Sequence, residues 1–371
     1  MCYTVGIENN FILPPSKPRI ATRKELFTMN PNIPNTENEP SVRSKTTSQD
    51  ILLSQESIYE QIDRIKANIS HVIVGRENTI DLLLTALLAD GHVLLEDVPG
   101  TGKTMLAKAL SKSLDLEFSR IQFTPDILPS DVTGLNYFNQ KESEFVFQKG
   151  PVFTQILLAD EINRATPRTQ SSLLEAMEER QVTIDGKTYL LNQPFFVIAT
   201  QNPVETAGTY PLPEAQLDRF LMQISMGYPN KSEELAILER FGTDNPLQNL
   251  TSVCNRNDLI LLKQAASQIY VHPVLKDYLI DLVQATRNDS QILSGASPRS
   301  TISFYRAVRA YALVQRRNYV VPEDLKTLTI PVLAHRLTTA STFGSHNSNQ
   351  EIIEHLLTRV PLPTEDWRQY V

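Results

Sequence analysis

A chain of 371 residues with a formal charge of −7 is long enough for two domains and a substantial buried core. The acidic balance gives no general electrostatic reason to bind DNA or an anionic membrane, although it leaves local basic patches open. There is no run of eighteen apolar residues, the N-terminus has no charged-then-apolar signal pattern, and Cys2 and Cys254 form no C-x-x-C pair, so the expectation is a cytoplasmic protein without membrane insertion or a cysteine metal site.

Residues 1–50 are rich in Pro, Asn, Ser and Thr, with scattered apolar residues, and predict a flexible N-terminal tail that cannot offset its ordering entropy. From Ser54 the pattern turns helical: Ile58, Ile62, Ile65 and Ile69 recur at threes and fours. A connector at 72–76 leads to a second helix at 77–89. Short apolar runs then alternate with helical stretches, with strand candidates at 93–96, 117–123, 155–159, 194–200 and 221–225. Such alternation predicts an α/β fold, a parallel sheet with helices on both faces. Two inserts interrupt it. One has strand-like runs at 135–138 and 145–148. The other, 182–190, reads as a hairpin, because Asp185-Gly186 supplies the positive φ angles of a type I′ turn. Beyond Pro229 the chain becomes helical, with apolar stripes at 258–270, 274–287, 301–316 and 322–335, which places a second, all-α domain from residue 232 onward.

Two segments carry chemistry. Leu94-Leu95-Glu96-Asp97-Val98-Pro99-Gly100-Thr101-Gly102-Lys103-Thr104-Met105 reads as a buried strand, a glycine-containing loop and a helix start. Loop N–H groups and the positive helix end converge on one volume suited to phosphate. Lys103 can reach terminal phosphates, and the Thr104 hydroxyl can hold Mg²⁺. The first Gly of the G-x-x-x-x-G-K-[ST] pattern is Asp97 here, so the match is incomplete. A Pro-Gly turn between strand and helix is the plainer alternative. The second segment, Gln155-Ile156-Leu157-Leu158-Ala159-Asp160-Glu161, is a buried strand delivering two acids at its C-terminal end, the edge where open α/β sheets bind ligands. There Asp160 would hold Mg²⁺, and Glu161 would polarise an attacking water.

Three further positions stay open on residue type alone. Asn202, before Pro203, suits either a γ-phosphate contact or a turn. Arg219 suits either a phosphoryl-stabilising arginine finger or a surface pair with Asp218. Arg299 follows Ser297-Pro298 at a helix start, where a cation opposes the dipole unless an anion sits nearby. Asn230-Lys231-Ser232-Glu233 comes near a guanine-reading N-K-x-D but ends in Glu and also reads as a turn and helix cap.

Over residues 55–340 the chain resembles the MoxR group of AAA+ ATPases. The likeness rests on Val74-Gly75-Arg76-Glu77, the loop ending at Thr104, Gln122-Phe123-Thr124-Pro125-Asp126, the stretch from Leu128 to Gly134, Gly150-Pro151-Val152-Phe153, the stretch from Ala159 to Ala165, Ala199-Thr200-Gln201-Asn202-Pro203, the stretch from Leu212 to Phe220, and Gly295-Ala296-Ser297-Pro298-Arg299. Asp97 looks like this family's version of the loop. The resemblance implies a P-loop NTPase core at 51–231 with strand order 5-1-4-3-2, a helix-2 insert at 126–150, a hairpin before sensor 1 at 181–193, and a helical lid at 232–371. It implies Lys103 and Thr104 as the Walker A pair, Asp160 and Glu161 as Walker B, and Asn202 as sensor 1. Arg219 becomes the finger acting on a neighbour's ATP, Arg299 sensor 2, and Val74 and Gly75 the adenine pocket. ATP and Mg²⁺ are the implied cofactors. The implied state is a ring homo-oligomer, a hexamer, that remodels partner proteins, including ones with a von Willebrand A domain. A slow nucleotide-gated scaffold and a DNA-directed motor are the alternatives. The 182–190 hairpin carries Lys187 as its one basic residue, which makes nucleic acid a poor partner.

Overall fold

The computed structural model describes residues 55–202, 208–242, 244–339 and 346–363, with backbone alone at 346–348. The expected tail at 1–50, Pro203 and residues 364–371 of the expected lid lie outside them. Helices α1 (Gln55–Ser70) and α2 (Glu77–Leu88) precede strand β1 (Val93–Glu96) and helix α3 (Lys103–Ser113). Next come β2 (Phe118–Gln122), the short α4 (Pro129–Thr133), the hairpin β3 (Gly134–Asn139) and β4 (Glu144–Lys149), β5 (Ile156–Asp160) and α5 (Pro167–Glu179). The hairpin β6 (Gln181–Ile184) and β7 (Lys187–Leu190) leads to β8 (Phe196–Gln201), the single turn α6 (Glu214–Leu217) and β9 (Met222–Ile224). The remainder is α7 (Lys231–Phe241), α8 (Arg256–Gln268), α9 (Pro273–Asn288), the short β10 (Ile292–Ser294), α10 (Pro298–Val314), α11 (Pro322–Leu333), β11 (Thr338–Thr339) and α12 (His346–Arg359).

Five strands form one parallel sheet in the order β9-β1-β8-β5-β2. Numbered along the chain, that is the expected 5-1-4-3-2. Period-2 alternation puts successive side chains on opposite faces, and here both faces are covered. Val93, Leu95, Ile156, Leu158, Phe196 and Ile198 join the core built with α1, α2, α3 and the C-terminal helices. Leu94, Leu157, Ala159, Val197 and Ala199 join a second core beneath α5 and the insert. The central strands β1, β5 and β8 are therefore near-continuous apolar runs with their polar residues at the C-terminal ends, whereas the edge strands β2 and β9 carry Ser119, Arg120 and Gln223 internally.

The C-terminal helices share the first of these cores with the sheet: α10 packs against α2, and α11 against β9. The two hairpins touch each other, with Phe147 stacked on Tyr189 at 4.3 Å and Asn136 Nδ2 donating to Asp185 at 2.8 Å. Asp185 and Gly186 take φ of 49° and 77°, the positive pair that the type I′ turn demands. Gly134, at φ 95°, has its missing Cβ 2.3 Å from the Gln148 carbonyl, so the foot of the insert closes only with glycine there.

Candidate nucleotide site and an arginine cluster at opposite sheet edges

Because the strands are parallel, the sheet has one edge of C-terminal strand ends and one of N-terminal ends. The C-terminal edge bears a cleft of about 360 Å³ lined by Pro99, Gly100, Gly102, Lys103, Thr104, Met105, Arg120, Gln122, Asp160, Glu161, Thr200, Gln201 and Asn202. It thus gathers the loop, both acids and Asn202 from segments about 100 residues apart.

Gly100 and Gly102 hold φ of 87° and 92°, and a Cβ on either would meet nothing within 4 Å. Left-handed backbone, not crowding, demands glycine there, and it leaves open space beside the loop N–H groups. Gly102 is the N-cap of α3, whose first turn carries no acid, so the positive helix end faces the cleft uncompensated. Lys103 Nζ donates to the Asp97 and Val98 carbonyls at 2.8 and 3.1 Å. Burial pushes the Lys103 ammonium below its usual range, against the pull of Asp97, Asp160 and Glu161.

Asp97, the departure from the usual loop pattern, is 5% exposed, and its carboxylate accepts from Met226 N, Gly227 N (3.2 Å) and Ser225 Oγ (3.3 Å). It fastens the loop to the segment running from β9 towards α7.

Asp160 Oδ1 accepts the Thr200 hydroxyl at 2.6 Å, and Oδ2 accepts Arg120 Nη2 at 2.7 Å. Glu161 sits at φ 56°, ψ 49°, a left-handed conformation costing about 1 kcal/mol for a residue with a Cβ. Its backbone N–H donates to Thr200 Oγ1 at 2.8 Å, and its carboxylate accepts Gln122 Nε2 at 2.8 Å and Arg164 Nε at 3.0 Å. Arg120, Gln122, Arg164 and Thr200 were not singled out by sequence reasoning as site residues. The signal was the alternation Arg120-Ile121-Gln122 on an edge strand, in register with Leu158-Ala159-Asp160.

Beside the cleft, across Gly100, Gly102 and Met105, lies an apolar cavity of about 260 Å³ lined by Val72, Ile73, Val74, Met226, Pro229, Ile237 and Phe241 among others. Val74 faces it. Gly75 does not: its Cα backs onto Glu233, whose side chain lies 2.3 Å from where a Cβ would sit. A polar cleft joined to an apolar cavity fits a phosphorylated base. For a divalent ion the cleft offers the Thr104 hydroxyl and the Asp160 carboxylate, with Glu161 as a second acid beside it. Among the described residues no group of three or more His, Cys, Asp or Glu could hold a metal alone. These hard oxygen donors fit Mg²⁺ arriving with phosphates and water. Asn230 and Glu233 form the capping box of α7 (3.0 and 2.9 Å), so the N-K-x-D likeness is a helix start.

Arg219 and Arg299 are not in this cleft. They line a cavity of about 250 Å³ with Asp90, His92, Glu178, Arg180, Asp218 and Arg306. This cavity lies at the N-terminal edge: the Leu221 N–H bonds to the carbonyl of His92, the residue that precedes β1. Glu178, in the last turn of α5, takes Arg219 Nε at 3.0 Å and Arg299 Nη2 at 2.6 Å. The local Asp218–Arg219 pair considered from sequence does not form. Asp218 instead accepts the Ser297 and Ser300 hydroxyls (3.2 and 3.1 Å) and faces the buried Arg336 at 3.5 Å. The anion that offsets Arg299 at its helix start is Glu178.

A sheet of this strand order, with a glycine loop and paired acids at its C-terminal edge, defines the AAA+ class of P-loop NTPases. Residues 92–222 match the model of the ATPase family associated with various cellular activities (AAA), and residues 284–356 match the AAA lid domain. The chain is 41% identical over 312 residues to Chaperone MoxR1 of Mycobacterium tuberculosis, covering 81% of this chain and 82% of that one. It is 50% identical over 283 residues to the uncharacterised protein YeaC of Bacillus subtilis, covering 76% and 88%. It is also 32% identical over 298 residues to Protein MoxR of Paracoccus denitrificans, covering 73% and 87%. A crystal structure from Cytophaga hutchinsonii, provisionally described as an ATPase, superposes with TM-score 0.77 at 39% identity, covering 84% of this chain and 97% of that one. The chain belongs to the MoxR family of AAA+ ATPases. No described helix is long and apolar enough to cross a membrane.

Proposed function

We propose that the protein hydrolyses ATP in a ring oligomer, a hexamer in the family's manner, and uses the cycle to remodel or activate partner proteins, including ones with a von Willebrand A domain. The cleft takes the triphosphate and the apolar cavity the adenine. Thr104 and Asp160 would hold Mg²⁺, which when bound neutralises charge on the phosphates. Glu161 accepts a proton from the attacking water, and Asn202 orients that water or the γ-phosphate. Gln122 and Arg164 hold the Glu161 carboxylate at the cleft. Thr200 fixes both acids, since its hydroxyl bonds Asp160 and accepts the Glu161 N–H.

The observation that carries the reading is the placement of the arginines. β1 has four residues, about 13 Å at ~3.3 Å per residue, and the sheet separates Arg219 and Arg299 from their own chain's cleft. A site needing an arginine at the γ-phosphate is therefore best completed by the N-terminal edge of a neighbour, and both arginines would act in trans. To test this, Arg219→Ala protein is mixed with Glu161→Gln protein. The first keeps an intact cleft and the second intact arginines, so mixed rings should hydrolyse ATP faster than either alone. Confirmed mixed rings without recovery would refute the shared site.

A slower, scaffold-like use of nucleotide is favoured by one observation. Glu161 is engaged by two side chains, and a base held this way turns over slowly until they release it. Single-turnover kinetics with and without a partner protein separates the two readings.

A further inference from the structure

We propose that Glu178 is a positioning residue, holding Arg219 and Arg299 as one pair for the triphosphate bound by the neighbouring subunit. The inference rests on the shared-site reading above. Arg219 comes from the turn between α6 and β9, and Arg299 from the first turn of α10. These are different parts of the chain, and their like charges repel. A single carboxylate meets both, one oxygen to each: Oε2 to Arg219 Nε at 3.0 Å, Oε1 to Arg299 Nη2 at 2.6 Å. Glu178 thereby engages the inner edge of Arg219 and one terminal nitrogen of Arg299. Each planar guanidinium keeps further N–H donors for phosphate oxygens. Arg180 and Arg306 line the same cavity. Without the carboxylate, Arg219, Arg299 and Arg306 would share the cavity with acids already taken, because Asp90 holds Arg180 and Lys263 and Asp218 holds the Ser297 and Ser300 hydroxyls.

The backbones under the two arginines are held by other means. Asp218 accepts Ser297 and Ser300 from the start of α10, and the buried Arg336 donates to the Phe220 carbonyl at 2.7 Å. The turn carrying Arg219 and the helix carrying Arg299 therefore stay docked whatever residue 178 is. What Glu178 sets is the direction of the two side chains, on which stabilisation of a developing phosphate charge depends. The Glu178 side chain is 30% exposed, so its removal changes orientation more than folding.

The test uses the full chain carrying Glu178→Ala or Glu178→Gln. The alanine variant should lose about 10- to 100-fold in kcat, with KM for ATP within about twofold of wild type, because nucleotide is held by the other protomer. Glutamine keeps an acceptor oxygen and should fall between the two. Mixed with Glu161→Gln protein, Glu178→Ala protein should recover activity, since its partner subunits carry intact arginine pairs. An unchanged kcat would overturn the inference. So would a loss that mixing does not relieve while the Arg219→Ala mixture is relieved. If the Arg219→Ala mixture also fails in confirmed mixed rings, the shared site itself falls, and the inference with it.

Discussion

The two edges of the sheet are assembled by different means. At the C-terminal edge, every element of the cleft hangs on a strand end whose place is set by backbone register: Gln122 beside Asp160, Glu96 beside Gln201. At the N-terminal edge, the arginines are carried by a turn and by a helix of the C-terminal region, joined through Glu178, Asp218 and Arg336. Register is rigid, whereas docking between a helix end and a turn can shift by ångströms with small changes in packing. The cleft is thus the fixed half of the proposed composite site, and the arginine cluster the adjustable half. A ring that must read the state of a neighbour's nucleotide would place its adjustable half on the side that does the reading.

This contrast can be broken most directly by separating binding from turnover. Arg219→Ala should lower kcat about 10³-fold, about 4 kcal/mol of transition-state stabilisation, while fluorescent-nucleotide affinity stays within a few-fold. Lys103→Ala should instead lose affinity. If both variants lost affinity alike, the arginine cluster would not be separable from the cleft.

The next largest effect is on stability, at the arginine edge. His92 is fully buried as the neutral ring, with Nε2 donating to Met177 O at 3.1 Å and Nδ1 accepting the Val197 N–H at 3.0 Å. Burial and then Arg180 push its pKa down from 6.5 to about 4. The unfolded chain takes up the proton near 6.5 and the folded one only near 4. The His92 contribution is therefore intact above pH 6.5 and lost as the pH falls towards 4, by about 3 kcal/mol. Urea titrations across pH 4–7 should show this slope in wild type and its absence in His92→Leu. An identical slope in both proteins would rule it out.

Asp218→Ala should cost about 2 kcal/mol by removing the carboxylate that accepts the Ser297 and Ser300 hydroxyls and faces the buried Arg336 guanidinium. Burial already pushes Arg336 down to about 10, with Asp218 opposing and Arg299 adding to the fall. Hydrogen exchange should rise at the start of α10 and leave α3 unchanged, and a rise shared by both would erase the distinction between the edges. Smallest of all, Arg120→Ala should change kcat by about threefold, because its side chain is 45% exposed and its pair with Asp160 is largely screened.

Much of this was legible in the linear sequence. The strand at 93–96 coincides with β1, and the Asp185-Gly186 turn and the stripes of α8, α9, α10 and α11 were plain from periodicity and turn chemistry. The loop and the two acids could be recognised because each is a contiguous run. What escaped were residues whose meaning is set by a neighbour far along the chain. Gln122 and Arg120 matter only once β2 pairs with β5. Glu178 reads as an ordinary helix-surface acid until the C-terminal helices return Arg299 to it. Arg336 gives no sign in sequence that it is buried. Cross-strand register and tertiary docking are non-local, and residue type does not encode them.

Asp97 looked like a flaw in a consensus, and its geometry explains why a consensus misjudges it. Glycine at that position would leave the Met226 and Gly227 N–H groups without the carboxylate they now share, at about 1–3 kcal/mol for each group left buried and unpaired. A search that demands glycine there therefore rejects the chain for a residue that this way of anchoring the loop requires.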